Sequence, residues 1–207
     1  MNPQADLAPR LRVEAALRGG HADRVPFTMY ESKIPQCTAE REMRNRGLCI
    51  VKRDVPVFRT HHPNVRTESH HYVPHYNEAA EVMHRHGKLI GCHFDDNCRL
   101  LADAIASTDL DYVEAFTPAP DTDMTLAEAR KAWPDKVIWL NFPSSQHLKS
   151  DDQVRQITLD LLDQGGTADG LLVGVTEDVP EDRWQSSCRA ILDGLEEHAR
   201  LHPERYA

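Results

Sequence analysis

The chain has 207 residues, of which 40% are hydrophobic and 28% charged, and its formal net charge at pH 7 is −9. This length is sufficient for one sizeable core. The acidic balance argues against nucleic-acid binding, because such a surface needs basic side chains that displace counterions. No apolar run is long enough for a transmembrane helix or a signal-peptide core, so we expect a cytoplasmic protein without a membrane partner.

The first 60 residues alternate between helical and extended patterns. A helix is predicted for "APRLRVEAALRG" and a strand for "RVPFTMYE". A charged helical stretch, "TAEREMRNRG", follows. The next two segments, "LCIVKRD" and "VPVFRTH", are extended and could pair with each other.

From Asn77 onward the patterns of helix and strand alternate with little ambiguity. The strands are nearly continuous apolar runs, which is typical of a parallel sheet covered by helices. Ser150 or Asp151 is a helix cap, and Pro180 stands in the first turn of the last helix. The segments are, in chain order, helix "NEAAEVMHRHG", strand "KLIGCHF", helix "NCRLLADAIAST", strand "LDYVEAFTP", helix "TLAEARKAWPD", strand "KVIWLNFPS", helix "SDDQVRQITLDLLDQGG", strand "DGLLVGVTED" and helix "PEDRWQSSCRAILDGLEEHAR".

These patterns favour an α/β fold of the (β/α)8 TIM-barrel type, shortened to about five parallel βα units. A closed barrel of this type needs eight strands and typically about 250 residues, so three units are missing. We expect a single shortened barrel domain over 1–207. Its parts are an N-terminal segment (1–60), a histidine-rich junction (61–76), a C-terminal barrel half (77–198) and a tail (199–207).

The histidine-rich junction and the helix after it hold seven of the 12 histidines of the chain. A solvated junction is favoured there over a second metal site. The seven are His61, His62, His70, His71, His75, His84 and His86.

Four stretches carry a family resemblance. "RLRVEAALRGGHADRVPF" resembles the opening of the uroporphyrinogen decarboxylase superfamily. "YNEAAEVMHRHGKLIGCHFDDNCRLLADAIASTDLDYVEAF", "LAEARKAWPDKVIWLNFPSS" and "GLLVGVTEDVPEDRWQSSCRAILDGLEE" are similar to the later half of its barrel. Because members of this superfamily are longer, the resemblance implies a large internal deletion near residues 61–76.

The resemblance implies three functional hypotheses. The first is metal-dependent methyl (one-carbon) transfer to or from a small molecule or a corrinoid protein partner. The second is cofactor-free decarboxylation of uroporphyrinogen or another carboxylic acid, although "MYESKIPQ" lacks the arginines that follow the first strand of such enzymes. The third is a truncated, non-catalytic barrel remnant that acts as a binding module. A homodimer could close the shortened barrel.

The methyltransferases of this superfamily bind zinc through a His-x-Cys motif at one strand end and a distant cysteine near the last strand. The matching positions here carry His93, Asp95 and Glu177, which would be the metal ligands. Alternate residues of an extended segment point the same way, so His93 and Asp95 can share a ligand. A histidine and two carboxylates would bind Zn²⁺, or alternatively Mn²⁺ or Fe²⁺, and keep one coordination position open.

Two further interpretations of these residues remain open. Asp96 and Asn97 stand where a helix N-cap is expected, and acidic residues are favoured at helix starts by the backbone dipole. A metal site, a metal-free polar pocket and helix capping are therefore all consistent with the pattern. In the decarboxylation hypothesis, Asp95 or Asp96 would donate the proton, since a carboxyl group in an apolar pocket can be protonated.

Other side chains at predicted strand ends would face the same pocket, because barrels of this type carry their chemistry at the carboxyl ends of the strands. Tyr30, Glu114 and Asn141 would orient a small-molecule substrate, with Ser144 beside them. Phe116 would form an apolar wall of the pocket, although core packing is favoured for it. The sequence has no glycine-rich nucleotide-binding motif, so no nucleotide cofactor is expected.

Overall fold

The computed structural model describes residues 7–52 and 72–206. Its strands are β1 (Phe27–Tyr30), β2 (Leu48–Val51), β3 (Gly91–His93), β4 (Tyr112–Phe116), β5 (Val137–Asn141) and β6 (Leu171–Val175). Its α-helices are α1 (Pro9–Leu17), α2 (Thr38–Asn45), α3 (Tyr72–Arg85), α4 (Ala102–Ala106), α5 (Leu126–Ala132), α6 (Asp151–Gly165) and α7 (Trp184–Leu201). None of the described helices is long and apolar enough to cross a membrane.

The six strands form one parallel sheet in the order β2-β1-β6-β5-β4-β3. The predicted α/β class and parallel sheet are confirmed, but the sheet has one strand more than the five predicted. The additional strand is β2, whose Leu48 lies opposite Phe27 of β1. A crossover through α2 makes this pair parallel. The predicted partner segment, "VPVFRTH", lies outside the described residues.

The two faces of the sheet are covered differently. Phe27, Ile138 and Val173 belong to the large apolar cluster between the sheet and the helices. The opposite face carries a smaller cluster in which Ala16 of α1 packs with Val137, Trp139 and Leu172. We call the face that carries this smaller cluster the inner face. Helix α1 covers it near the amino ends of the strands, so polar side chains can occupy it at the carboxyl ends of the strands.

Strand β4 contains an irregularity that places Phe116 in the core, which was the favoured interpretation, and not in the pocket with Glu114. The register with β5 shifts between Glu114 and Phe116, and Ala115 between them has a φ of 59°. Such a bulge interrupts the alternation of side chains along a strand. Glu114 consequently lies on the inner face, while Phe116 packs against the Trp133 ring in the helix-side core, with ring centroids 5.5 Å apart.

Most predicted helices are present, with shifted boundaries. Ser150 caps α6 in a reciprocal capping box with Gln153, as its position predicts. The segment "NCRLLADAIAST", predicted as one helix, is a 3₁₀ turn (Arg99–Leu101) followed by the five residues of α4. Helix α3 begins early and contains Pro74 in its first turn, where the missing N–H costs nothing.

Candidate metal centre

Polar side chains from four strands meet at the carboxyl end of the inner face. Tyr30 ends β1, His93 ends β3, Glu114 lies in β4, and Glu177 follows β6. Beneath them is a cavity of about 190 Å³, whose lining residues are Tyr30, Val51, Gly91, Cys92, His93, Tyr112, Glu114 and Trp139. The parallel sheet thus brings together four residues that are up to 147 positions apart in the chain.

Both ring nitrogens of His93 face carboxylates. Its Nδ1 lies 2.6 Å from Glu114 Oε2. Its Nε2 lies 3.3 Å from Asp95 Oδ2 and 3.8 Å from Glu177 Oε1. The half-buried imidazole is therefore surrounded by three carboxylates, of which Glu114 is buried and the other two reach solvent.

Glu114 fixes the orientation of His93. The register of β3 and β4 places His93 directly opposite Glu114, and the Tyr30 hydroxyl donates a buried hydrogen bond to Glu114 Oε1. A carboxylate at Nδ1 favours the tautomer with the proton on Nδ1, which leaves the Nε2 lone pair directed at Asp95 and Glu177. In many proteins a metal-binding histidine is oriented in this way, by a hydrogen bond between its other ring nitrogen and a carboxylate.

The spacing of the three facing atoms fits a metal ion. Ligand atoms of a tetrahedral zinc site are about 3.4 Å apart, given zinc–ligand bonds of about 2.1 Å. The candidate ligand atoms of His93, Asp95 and Glu177 all lie within 4.8 Å of one another. Small side-chain rotations would bring this set to bonding distance, since Asp95 and Glu177 are partly exposed.

The remaining predicted site residues have other local roles. Asp96 is exposed and accepts the backbone N–H of the next residue, Asn97, at 2.7 Å. The 3₁₀ turn that follows has Cys98 at its N-cap and no side-chain cap hydrogen bond, so neither Asp96 nor Asn97 caps it. Asn141 is buried, donates to Thr117 Oγ1 at 3.1 Å and accepts the Thr176 N–H at 2.9 Å. Asn141 thus links the carboxyl ends of β4, β5 and β6 by hydrogen bonds. Ser144 is half-buried and begins a 3₁₀ helix after β5.

Several residues at the cavity were not predicted as part of the site. Trp139 lines the cavity and donates its Nε1 proton to Thr28 Oγ1 at 2.9 Å. Thr28 lies two positions before Tyr30, and Trp139 lies two positions before Asn141. Strand alternation from these predicted pocket residues could therefore have identified both. Tyr112 also lines the cavity, and its pKa is raised by burial and by the nearby negative charges of Glu114 and Asp111.

Two described histidines of the junction and of the helix after it, His75 and His84, lie beside other carboxylates. His61, His62, His70 and His71 lie outside them. In α3, His75 Nδ1 lies 3.9 Å from Glu78 Oε2. At the end of the same helix, His84 Nε2 lies 2.9 Å from Asp111 Oδ2.

A second, larger cleft is separate from the candidate centre. It encloses about 700 Å³ beside α2 and is lined in part by Ile50, which packs on the helix side of the sheet. Two of its cations are ion-paired, Arg44 with Glu40 and Lys52 with Glu31. The cleft and the cavity of 190 Å³ therefore lie on opposite faces of β2.

Comparison with known proteins gives no family for the chain. No family model and no curated protein matches it. Among the solved structures that match is a thiamine phosphate pyrophosphorylase from Pyrococcus furiosus, with 13% identity and a TM-score of 0.27. The match covers 85% of this chain and 97% of that one. At this TM-score the likeness carries no argument about what the chain does.

The assignment to the uroporphyrinogen decarboxylase superfamily is wrong by these comparisons. No model or curated member of it matches, and the matching structure named above is a thiamine phosphate pyrophosphorylase. Methyl transfer, the corrinoid partner and uroporphyrinogen decarboxylation are overturned with it. The quoted motifs describe a helix ending in glycine, an apolar strand and a polar turn, which βα units share for physical reasons. The candidate centre therefore depends on its geometry alone.

Proposed function

We propose that the chain is a divalent-metal-dependent enzyme acting on a small polar molecule, with His93, Asp95 and Glu177 as the metal ligands. Zn²⁺ is the first choice of metal, and Mn²⁺ or Fe²⁺ the alternative. One observation carries this proposal. His93 Nε2 lies 3.3 and 3.8 Å from two carboxylate oxygens, while its Nδ1 is held by Glu114 at 2.6 Å.

The strand order supports the location. The order β2-β1-β6-β5-β4-β3 is compatible with a TIM-like barrel in which β2 and β3 are not paired. In TIM-like barrels the catalytic residues come from the carboxyl ends of several strands. Tyr30, His93, Glu114 and Glu177 have this placement.

The negative charges of the carboxylates around His93 favour binding of a cation. A neutral imidazole with its Nε2 lone pair directed at two carboxylates is repelled by both, and the buried Glu114 adds a third negative charge. A divalent ion would offset the charges of Asp95 and Glu177. Protonation of His93 would offset one of them, and this is the competing explanation.

Three protein ligands leave one position of a tetrahedral ion for water or a substrate oxygen. The ion would lower the pKa of a bound water toward neutrality and polarise a bound carbonyl. Of the chain's own residues, Glu114 holds the proton of His93 Nδ1 and Tyr30 holds Glu114 in place. The reaction class that this set supports best is hydrolysis of a small ester, amide or phosphate ester.

Calorimetric titration of metal-free protein with Zn²⁺ tests the ligand set. One binding event of the wild type should be lost in His93→Ala and retained in His86→Ala, which removes an exposed histidine just after α3. Turnover of small esters, amides and phosphate esters is then compared with and without the ion. The same number of bound ions with the same affinities in wild type and His93→Ala would overturn the proposal and favour an ion-paired imidazolium.

A further inference from the structure

A second cluster of metal-ligating side chains lies among the helices, away from His93. Asp163 is in the last turn of α6, His198 is near the end of α7, and His202 follows that helix. Both helix ends lie at the amino end of the sheet, because α6 leads into the start of β6. The cluster therefore shares no residue and no strand end with the candidate metal centre.

His198 is held rigidly within this cluster. Its side chain is 3% exposed, and its Nδ1 lies 2.6 Å from the Tyr206 hydroxyl. Its Nε2 is directed at Asp163 Oδ1, 3.4 Å away. His202 lies one helical turn further, and the two imidazole centroids are 4.7 Å apart. The candidate ligand atoms of Asp163, His198 and His202 all lie within 4.8 Å of one another.

A cation already bridges two of these residues. Arg205 Nη1 lies 3.0 Å from Asp163 Oδ1 and 3.3 Å from His198 Nε2. The imidazole nitrogen and the carboxylate oxygen thus converge on one positively charged group. The Tyr206 hydroxyl lies at Nδ1, so Nε2 is the ring nitrogen of His198 that faces this cation.

We infer that Asp163, His198 and His202 form a second divalent-metal site, at which Zn²⁺ displaces the Arg205 guanidinium. One carboxylate and two imidazoles are ligands that zinc takes readily, with bonds of about 2.1 Å. The ion would join the ends of α6 and α7. Its binding opposes Arg205, so removal of that side chain should strengthen it.

The test uses the His93→Ala background, which removes the ligand that the candidate centre needs. Competition for Zn²⁺ with a chromophoric chelator should show about one ion bound per chain in His93→Ala. Adding His202→Ala should weaken this binding at least about tenfold, since even loss of an outer contact to a ligand costs about 10–100-fold. Adding Arg205→Ala should tighten it, and adding His86→Ala should leave it unchanged.

Several outcomes would overturn the inference. Among them are no binding in His93→Ala, equal effects of His202→Ala and His86→Ala, and weaker binding after Arg205→Ala. Should His202→Ala lose its fold by circular dichroism, Asp163→Asn takes its place, because Asp163 is 55% exposed and can lose its charge without leaving a cavity. Failure here leaves the candidate centre untouched, because the single variant His202→Ala retains His93, Asp95 and Glu177.

Discussion

Glu114 Oε2 lies 2.6 Å from His93 Nδ1, across the pairing that joins β4 to β3. The other oxygen of this buried carboxylate accepts the Tyr30 hydroxyl. A side chain from the first strand thereby acts on the orientation of an imidazole on the third. The three residues form a chain of hydrogen bonds that ends at His93 Nδ1 and leaves Nε2, on the other side of the ring, for the proposed metal.

Glu114→Gln should weaken zinc binding about 10–100-fold, because the neutral amide holds the Nδ1 proton less firmly and lowers the basicity of Nε2. Titration calorimetry gives the affinity, and ¹⁵N NMR of the His93 ring gives the tautomer. Tyr30→Phe is the matched control, since it keeps the carboxylate and removes the hydroxyl that donates to it, and its effect should be smaller. A larger loss in Tyr30→Phe than in Glu114→Gln would contradict the proposed role of Glu114.

Asp95→Asn and Asp96→Asn should behave differently although the two residues are adjacent and both exposed. Asp95 Oδ2 lies 3.3 Å from His93 Nε2, whereas the Asp96 carboxylate accepts a backbone N–H. We expect Asp95→Asn to lower zinc affinity at least about tenfold and Asp96→Asn to leave it unchanged. Each should alter the free energy of unfolding by less than about 0.5 kcal/mol, as exposed substitutions usually do. Equal affinities in the two variants would remove Asp95 from the ligand set.

Gly174→Ala should destabilise the protein by about 1–3 kcal/mol. A Cβ at this position would lie 2.7 Å from Trp139 Nε1 and 3.0 Å from Thr28 Oγ1, between the partners of a buried hydrogen bond. Urea unfolding gives the free energy. In a Trp139→Phe background the same substitution should cost less, because the smaller ring leaves room for the methyl group. An equal cost in both backgrounds would show that the indole is not what excludes a side chain.

His147 makes the free energy of unfolding depend on pH in the acidic range. It is buried, its Nδ1 lies 2.6 Å from Ser187 Oγ, and burial lowers its pKa from 6.5 to about 4, with Asp121 opposing and Arg183 adding to the shift. The unfolded chain takes up this proton near pH 6.5 and the folded chain only near pH 4. The stabilising effect of the neutral ring is therefore present above pH 6.5 and is lost as the pH falls toward 4.

The free energy of unfolding should fall by up to about 3 kcal/mol between these limits because of His147 alone. Urea unfolding at pH 7 and pH 4.5 measures this, with His147→Gln as the comparison. The glutamine can accept or donate to Ser187 but does not titrate, so the variant should lose less stability on acidification. Parallel losses in wild type and variant would show that other groups cause the acid dependence.

The sequence predicted the layers of the fold better than the fine structure of its site. Period and composition identified β1, β3, β4, β5 and β6, because strands buried on both faces are uninterrupted apolar runs. They did not identify β2 as a parallel strand, since four residues next to another extended segment fit a hairpin equally well. The parallel pairing of β2 with β1 depends on how α2 packs against the sheet. A local sequence pattern does not contain this information.

Alternation along the strands explains how the predicted site residues come together. His93 and Glu114 lie opposite each other on one face. The core position of Phe116, which was favoured over a pocket wall, depends on the bulge at Ala115, because unbroken alternation would put it on the same side as Glu114. The positive φ of Ala115 has no sequence signal, because glycine or asparagine is the usual residue in that conformation.

The cluster of Asp163, His198 and His202 shows a different limit of prediction from sequence. His198 and His202 are four residues apart on one helix face, which the sequence displays, but their carboxylate partner comes from another helix, 35 positions earlier. Contacts between helices require the packing of α6 on α7. Sequence spacing alone therefore identifies two of the three candidate ligands.

Anomalous diffraction at the zinc edge, from crystals of protein purified with Zn²⁺, is the decisive test of the proposed metal centre. We expect an anomalous peak about 2.1 Å from His93 Nε2 and within bonding distance of Asp95 and Glu177 oxygens. The peak should be missing from His93→Ala crystals grown in the same way. A zinc-loaded protein with no peak beside His93, or with a peak there that persists in His93→Ala, would contradict the proposed metal centre.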